Sequence, residues 1–346
     1  MRVFLYEFVT GGGLLASGEV PTGSLLREGA AMVNALATDF CRLPRVGVDV
    51  MRDVRIRGNG PGNMHVVAHA NEEAHTFENL AREAHWTVVI APEISGNLVR
   101  RCETVENVGG RLLGPSMSAI RLASNKQQTV EFLGRLGVAT PRGRLIPPGS
   151  PVPGEFRFPA VLKPIDGAGS LGIVRLASAD DALAVPTEAS ARRMEQYCPG
   201  IAASVAYLCG GKRPVDLPPC RQLIDEACGF AYRGGRWPLT RELADRAVRL
   251  AGRAVERLPQ LRGYLGVDVV LGSSPDGADD VVVEINPRLT TSYVGLSALC
   301  NDNLAQAMLA AAQGRDVELS FQCDSLELTA DGRVGRQSAR ARFADE

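Results

Sequence analysis

The sequence contains no C-x-x-C pair, although eight cysteines (Cys41, Cys102, Cys198, Cys209, Cys220, Cys228, Cys300 and Cys323) are spread along its 346 residues. Such spacing offers neither a zinc cage nor a disulfide framework, and it fits reduced, partly buried thiols. Histidine is scarce too, with only His65, His69, His75 and His85. MHVVAHA around the first two reads as a strand and not as a helix carrying an i, i+4 metal pair, so they are not taken as ligands. Long apolar runs are missing. VVIA at 88–91 and VAYLC at 205–209 are far too short to span a bilayer. The first residues, one arginine followed by a strand pattern and glycines, lack the apolar core of a signal peptide. With a formal net charge of −1 the chain has no global attraction for nucleic acid or an anionic membrane. There is no G-x-S-x-G elbow, no Cys/His signature and no G-x-x-x-x-G-K-[ST] loop, which argues against a covalent enzyme nucleophile and against a Walker site. These absences predict a cytoplasmic protein with neither nucleic acid nor membrane as partner.

Apolar residues make up 45 % of the chain, enough for a substantial core, and the length allows two or three domains. Up to about residue 115, strands and helices alternate. VFLYEF, RVGVDVM, MHVVAHA, WTVVIAPE and a short RLLG read as strands. The stretches 24–40 (with Ser24 as N-cap), ANEEAHTFENLAREAH and SGNLVRRCETVENVG read as helices. Such alternation predicts a parallel α/β layer. Residues 115–141 read as helix, turn and helix, closed by Gly137 and Pro141, and PPGSPVPG at 147–154 is a surface loop. From FPAVLKP onward come short β-runs, then an amphipathic helix over 239–258, two strands at 263–272 and 280–287, and a last helix ending near Gly314. GRVGRQSARARFADE is polar and charged and reads as a frayed tail. The division predicted is an N-terminal α/β domain over 1–115, a central subdomain over 116–194, a C-terminal antiparallel-sheet subdomain over 195–325 and a disordered tail over 326–346.

The chemistry-bearing stretches are four. VLKPIDGAGSLGI ends a strand on Lys163 and follows it with a loop containing Gly167, Ala168, Gly169, Ser170 and Gly172. Glycines let such a loop turn its N–H groups toward phosphate oxygens, although an ordinary hairpin has the same composition. Asp268, Glu284 and Asn286 fall on two strands, the last two on one face, and together supply oxygen ligands suited to Mg²⁺. Arg288 adds a planar donor fork for a phosphoryl group. RRMEQYCPG, with Glu195, Gln196, Tyr197 and Cys198, reads as an alternating strand running into a turn. Lys126 opens a helix, where a lone lysine is ordinarily a solvated surface residue.

In this order, Lys126, Lys163 with DGAGSLG, Glu195 to Cys198, Asp268 and EINPR resemble the ATP-grasp superfamily over roughly residues 116–300. The resemblance implies an ATP-grasp fold of the α/β (α+β) class, with a glycine lid in the central subdomain and a metal site in the C-terminal one. It implies that Lys126 and Lys163 contact the α- and β-phosphates of ATP and that residues 166–172 close over the β- and γ-phosphates. It further implies that Glu195 and the backbone of Gln196, Tyr197 and Cys198 read the adenine. Asp268, Glu284 and Asn286 would hold one or two Mg²⁺, with Mn²⁺ as a substitute, and Arg288 would face the transferred phosphoryl group. Lys163 and Arg288 are the implied catalytic pair. The pattern departs from many family members at Ala202, where a second glutamate would meet the ribose.

YEFVTGGG, LLREGAAM at 25–32 and INPRLTTSYVGL at 285–296 look more closely like the tyramine–glutamate ligase group. That resemblance implies a carboxylate–amine ligase working through an acyl phosphate and releasing ADP and phosphate, with glutamate and tyramine or tyrosine as substrates in methanofuran-type biosynthesis. Its partners would be a small-molecule carboxylate and amine, and a homodimer is common in the superfamily. Glu7 and Glu28 are then the acidic candidates for an ammonium group, although Glu28 equally reads as a first-turn helix acid. Gly11, Gly12 and Gly13 are expected to form a flexible mouth on the acceptor side. Thr290, Thr291 and Ser292 are expected either to donate to a carboxylate or to form a polar loop. Phe230, Tyr232 and Trp237 read as an aromatic-amine pocket or simply as a packed hairpin. The competing readings are an ATP-grasp ligase of another branch, such as a peptide ligase or carboxylase component, and a nucleotide-binding module without catalysis.

Overall fold

In the computed structural model, which describes residues 1–336, the first strand β1 (Arg2–Glu7) is buried from Val3 onward. A strand buried on both faces needs a layer on each side. Helix α1 (Gly23–Cys41) covers one face, and α2 (Ala70–Glu83) and α3 (Asn97–Asn107) cover the other. With β2 (Gly47–Asp53), β3 (Asn63–Val67) and β4 (Trp86–Ile90), β1 forms the parallel sheet expected, in the order β3-β2-β1-β4. The strand order therefore reverses between β1 and β4, and the crevice beyond the C-terminal ends of such strands is where open α/β sheets hold ligands. Two local expectations change. The first helix begins at Gly23 with Thr22 as N-cap residue, so Ser24 lies inside it. RLLG contributes only the single bridge of Leu112 to Thr87.

The helix-turn-helix is α4 (Met117–Ala123) and α5 (Lys126–Arg135). The Ser116 and Asn125 side chains cap them by accepting from the Ala119 and Gln128 N–H groups. A small antiparallel sheet follows, in the order β5-β8-β6-β7, from β5 (Gly143–Ile146), β6 (Ala160–Pro164), β7 (Val174–Leu176) and β8 (Arg192–Gln196). The short helix α6 (Ala179–Ala184) packs on it.

The third sheet is antiparallel. Its strands are β9 (Ile201–Cys209), β10 (Val215–Asp216), β11 (Cys220–Asp225), β12 (Ala231–Trp237), β13 (Gly263–Leu271), β14 (Val281–Asn286), β15 (Leu326–Thr329) and β16 (Val334–Arg336). They run β14-β13-β9-β11-β12-β15-β16, with β10 on β9. Helix α7 (Arg241–Val255) packs on β9, β13 and β14. Helices α8 (Ser292–Leu299) and α9 (Leu304–Ala312) pack with α1, so one core runs from the parallel sheet into the third sheet. Among the described residues no helix is long and apolar enough to cross a membrane.

The disordered tail expected from residue 326 is corrected over 326–336. Leu326 and Leu328 alternate along β15 and are 1 % and 0 % exposed, because a period-2 apolar pair buries one face of a strand. The expectation for 337–346 lies outside the described residues. Leu328→Ala is therefore expected to destabilise the protein by about 2–5 kcal/mol in urea unfolding. A loss under about 1 kcal/mol would remove β15 from the core.

Candidate active site

Side chains alternate along a strand, so Ala202 and Ser204 on β9, Gln222 on β11, Asp268 on β13 and Glu284 and Asn286 on β14 all face the same cleft. Its volume is about 250 Å³. The facing wall is β6 and β8 with Lys163 and Glu195, and the loop carrying Gly169 and Ser170 forms the roof. Gly169, Ser170 and Gly172 all have positive φ (61°, 59° and 71°), a backbone that Ser170 adopts only under local constraint. The roof leans on α1, where a Cβ on Gly169 would meet Leu25 at 3.0 Å.

Both lysines are buried, against the surface reading of Lys126. Its backbone N–H bonds Ile165 O, and its ammonium donates to Gly167 O at 2.5 Å and to Glu284 Oε1 at 2.7 Å. It thus ties the roof to the floor. Lys163 lies 2.5 Å from Glu195 Oε1, and Glu195 Oε2 accepts from Arg193 Nε at 3.0 Å. Expected to read a base, the Glu195 carboxylate is instead engaged by two cations. The Gln196 and Tyr197 N–H groups donate to Arg142 O and Pro159 O, and the Tyr197 hydroxyl donates to Glu226 at 2.9 Å. Cys198 lines the cleft beside them.

Asp268 stands opposite Glu284 in the β13–β14 register, with a bulge immediately after it. Its oxygens accept from Gln222 Nε2 at 3.1 Å and Asn286 Nδ2 at 3.0 Å. Burial, and then the charge of Glu284, push its carboxyl up to about 6. Burial acts upward on Glu284 too, but Lys126, Lys163 and Arg288 together outweigh it and the net shift is downward. Two carboxylates and an amide held this close suit a hard divalent cation that completes its shell with phosphate oxygens and water. Among the described residues no group of three or more His, Cys, Asp or Glu forms a cage by itself.

Arg288 follows β14 in a half-buried position. Its Nε and one terminal nitrogen donate to Glu93 Oε1 and Oε2 at 2.9 and 3.1 Å, and the other terminal nitrogen donates to Leu289 O at 3.1 Å. Glu28 also lines the cleft, within hydrogen-bond reach of Thr291 and under the charge of Arg288. Burial pushes the Glu28 carboxyl up to about 7, against the pull of Arg288 and a Thr291 hydrogen bond. Thr290 and Ser292 bond each other at 2.8 Å and the Tyr264 hydroxyl at 3.0 and 3.1 Å. The polar loop expected there is a helix start, since Ser292 opens α8. Phe230 and Tyr232 line the cleft, whereas Trp237 is buried in the core with its indole N–H on Pro218 O.

Glu7 is turned largely to its own backbone. It accepts from the Val9 and Thr10 N–H groups at 3.2 and 2.6 Å and presses on Gly29, where a Cβ would lie 2.5 Å from its carboxylate. Burial pushes it up to about 7 from an unfolded value near 4.5, with Arg288 the charge that lowers it. A folded state that holds the proton more tightly is favoured at low pH, and stability falls as pH rises from 4.5 through 7. Between pH 5 and pH 8 the wild type should therefore lose on the order of 3 kcal/mol relative to Glu7→Gln in urea unfolding. Parallel pH profiles would refute this.

The family described as ATP-grasp domain matches residues 123–292, and the pre-ATP-grasp domain matches residues 46–120. The chain belongs to the ATP-grasp superfamily. Tyramine–L-glutamate ligase of Methanocaldococcus jannaschii is 28 % identical over 322 residues, 92 % of each chain. The same-named enzyme of Methanocaldococcus fervens is 27 % identical over 320 residues, 91 % of this chain and 96 % of that one. An ATP-grasp superfamily protein from Archaeoglobus fulgidus has a TM-score of 0.69 at 23 % identity, over 95 % of this chain and 92 % of its own. An L-amino acid ligase from Bacillus licheniformis has a TM-score of 0.67 at 14 % identity, over 94 % of this chain and 78 % of its own. The protein is thus an ATP-grasp enzyme of the ligase class that forms carbon–nitrogen bonds.

Within this ATP-grasp chain, the expectation of a flexible glycine mouth is corrected. Gly11, Gly12 and Gly13 do not line the cleft. They pack against the parallel sheet in successive turns, Gly11 N–H to Glu7 O and Gly13 N–H to Phe8 O. Gly12 has φ 99°, and a Cβ on Gly11 would lie 2.5 Å from Glu7 O, so the triplet is a tight turn and not a mouth. Sequence reading missed Glu93, Arg193 and Gln222. Glu93 sits just past the C-terminal end of β4, at the reversal of strand order, and that placement was its only signal.

Proposed function

We propose that this ATP-grasp enzyme joins a small carboxylate to an amine at the expense of ATP, with glutamate as carboxylate and tyramine or tyrosine as amine. The single observation that carries the reading is the convergence in one cleft of the Lys163 ammonium, the Arg288 guanidinium, the Asp268–Glu284–Asn286 oxygen set and the Glu28 carboxyl, with the Lys126 ammonium 2.7 Å from Glu284 at its edge. The curated relatives, each named a tyramine–L-glutamate ligase, support this choice of substrates.

When bound, Mg²⁺-ATP supplies the phosphoryl group that turns the carboxylate into an acyl phosphate. Lys126 and Lys163, paired with Glu284 and Glu195 in the free protein, meet phosphate oxygens of the nucleotide, and Asp268, Glu284 and Asn286 would hold the Mg²⁺ that neutralises phosphate charge. Arg288 neutralises charge on the group in transfer from a fixed orientation. Glu28, ionised above about pH 7, holds the ammonium of a substrate next to Arg288. The Gly167–Gly172 roof keeps water from the activated acyl group. No covalent enzyme intermediate is needed. Burial pushes the Cys220 thiol up to about 12 and the Cys198 thiol upward as well, so neither is a ready nucleophile at neutral pH.

The test is ADP release with glutamate paired in turn with tyramine, tyrosine, other amino acids and aliphatic amines, in excess Mg²⁺. Amine-dependent ADP release with an amide product is expected, strongest for the aromatic amines. Release only with amino-acid acceptors would move the protein to the peptide-ligase branch. Intact ATP binding with silence across all pairs would favour a nucleotide-binding module.

A further inference from the structure

Among the described residues, the ion pair farthest apart in the sequence is Arg288 with Glu93, 195 residues away. Glu93 is 3 % exposed and belongs to the parallel-sheet domain, whereas Arg288 follows the third sheet. Both carboxylate oxygens are used, in the parallel two-bond geometry that fixes a guanidinium plane. A guanidinium has five N–H groups. Glu93 takes the Nε–H and one hydrogen of a terminal nitrogen, and Leu289 O takes one hydrogen of the other. One hydrogen on each terminal nitrogen is left over for a ligand. Arg288 lines the cleft.

The turn that carries Glu93 is itself held. Ser95 has φ 53°, an uncommon backbone for a residue with a side chain, and Gly96 has φ 71°. The Ser95 N–H donates to Asp166 Oδ2 at 2.9 Å, and Asp166 lies at the root of the glycine loop. One short turn at the strand-order reversal therefore grips both the roof of the cleft and its arginine.

We propose that Glu93 is a positioning residue that holds Arg288 so that its two remaining terminal N–H groups serve the terminal phosphoryl group of ATP. This rests on the reading above that Arg288 meets that group. Glu93 touches no substrate. It acts by choosing which N–H groups of the guanidinium are left for the nucleotide, and its loss should weaken contact with the terminal phosphoryl group while leaving the rest of the nucleotide alone. An ion pair that only joins two domains would lower the melting temperature and shift ATP and ADP affinity together.

The experiment is calorimetric binding of ATP and of ADP, both with Mg²⁺, to the wild type, Glu93→Gln, Glu93→Asp, Arg288→Gln and the Glu93→Gln/Arg288→Gln double variant, each with a melting curve. The wild type is expected to favour ATP over ADP. Glu93→Gln should reduce that preference about fivefold or more with ADP affinity held within about twofold, and Glu93→Asp should restore much of it. In the Arg288→Gln background, Glu93→Gln should change the preference by less than about twofold, because its partner is gone. Equal wild-type affinities, an unchanged preference in Glu93→Gln, or the same further loss in the Arg288→Gln background would each overturn the proposal. Should Glu93→Gln not fold, Glu93→Asp, Arg288→Gln and the wild type still decide it. In that case Glu93→Asp must keep more of the ATP preference than Arg288→Gln, and a value equal to or below that of Arg288→Gln overturns the role. The readout needs only nucleotide. If no carboxylate–amine pair yields an amide while the coupling holds, the ligase reading fails and the positioning role stands.

Discussion

Asp268→Asn should lower amine-dependent ADP release by at least about a hundredfold while leaving the protein as thermally stable as the wild type or more so. Asp268 is half-buried directly across from Glu284, and its loss of solvation followed by that like charge raises its carboxyl to about 6. In the free protein the two acids strain each other at neutral pH. An asparagine keeps an oxygen for the Gln222 amide and removes the repulsion, so the empty fold gains or stays level. The same change strips one anionic oxygen from the site proposed for Mg²⁺, and the remaining carboxylate and amide hold a divalent cation poorly. Assaying ADP release beside a melting curve separates the two effects. Full activity in Asp268→Asn would end the metal assignment, and a large drop in melting temperature would show that the residue is chiefly structural.

Arg288→Lys is expected to lose about 10²–10³-fold in kcat with the fold retained. Lysine conserves the charge that faces Glu93, so the buried carboxylate keeps a counter-ion and the much larger cost of an unpaired buried charge is avoided. What it cannot conserve is geometry. One ammonium cannot span both oxygens of Glu93, reach Leu289 O and still keep N–H groups for the cleft. Steady-state kinetics with saturating ATP would test this, and a kcat within about threefold of the wild type would mean that charge alone suffices at position 288.

Much of the fold was legible because its patterns are local. Strands alternating with helices to residue 115 gave the parallel layer, since a strand apolar on both faces has few other solutions. Helix α8 was less legible. It opens on Ser292 directly after Thr290 and Thr291, and a run of hydroxyl residues reads as loop until Tyr293, Leu296 and Leu299 find a core to face. Strand β15 was hidden in the same way, because the partners of Leu326 and Leu328 lie far back in the chain, on β12 and α8. The glycine triplet misled for a related reason. Three glycines signal freedom when read alone, yet here Gly11 and Gly13 are required by crowding against Glu7, Tyr6 and Phe8, and Gly12 by its φ of 99°.

The sequence by itself determined which donors and acceptors this protein could bring to a site and their order along the chain. Strand alternation alone put Glu284 and Asn286 on one face, and a lysine at a strand end before a glycine loop follows from four adjacent words of sequence. Only the tertiary structure decided who partners whom. Lys126 meets Glu284 across 158 residues, Lys163 meets Glu195 on the neighbouring strand, and Arg288 meets Glu93 across 195. Such pairings depend on strand register and on how three sheets pack, because a buried charge takes the nearest counter-charge that the packing brings to it, whatever its distance along the chain.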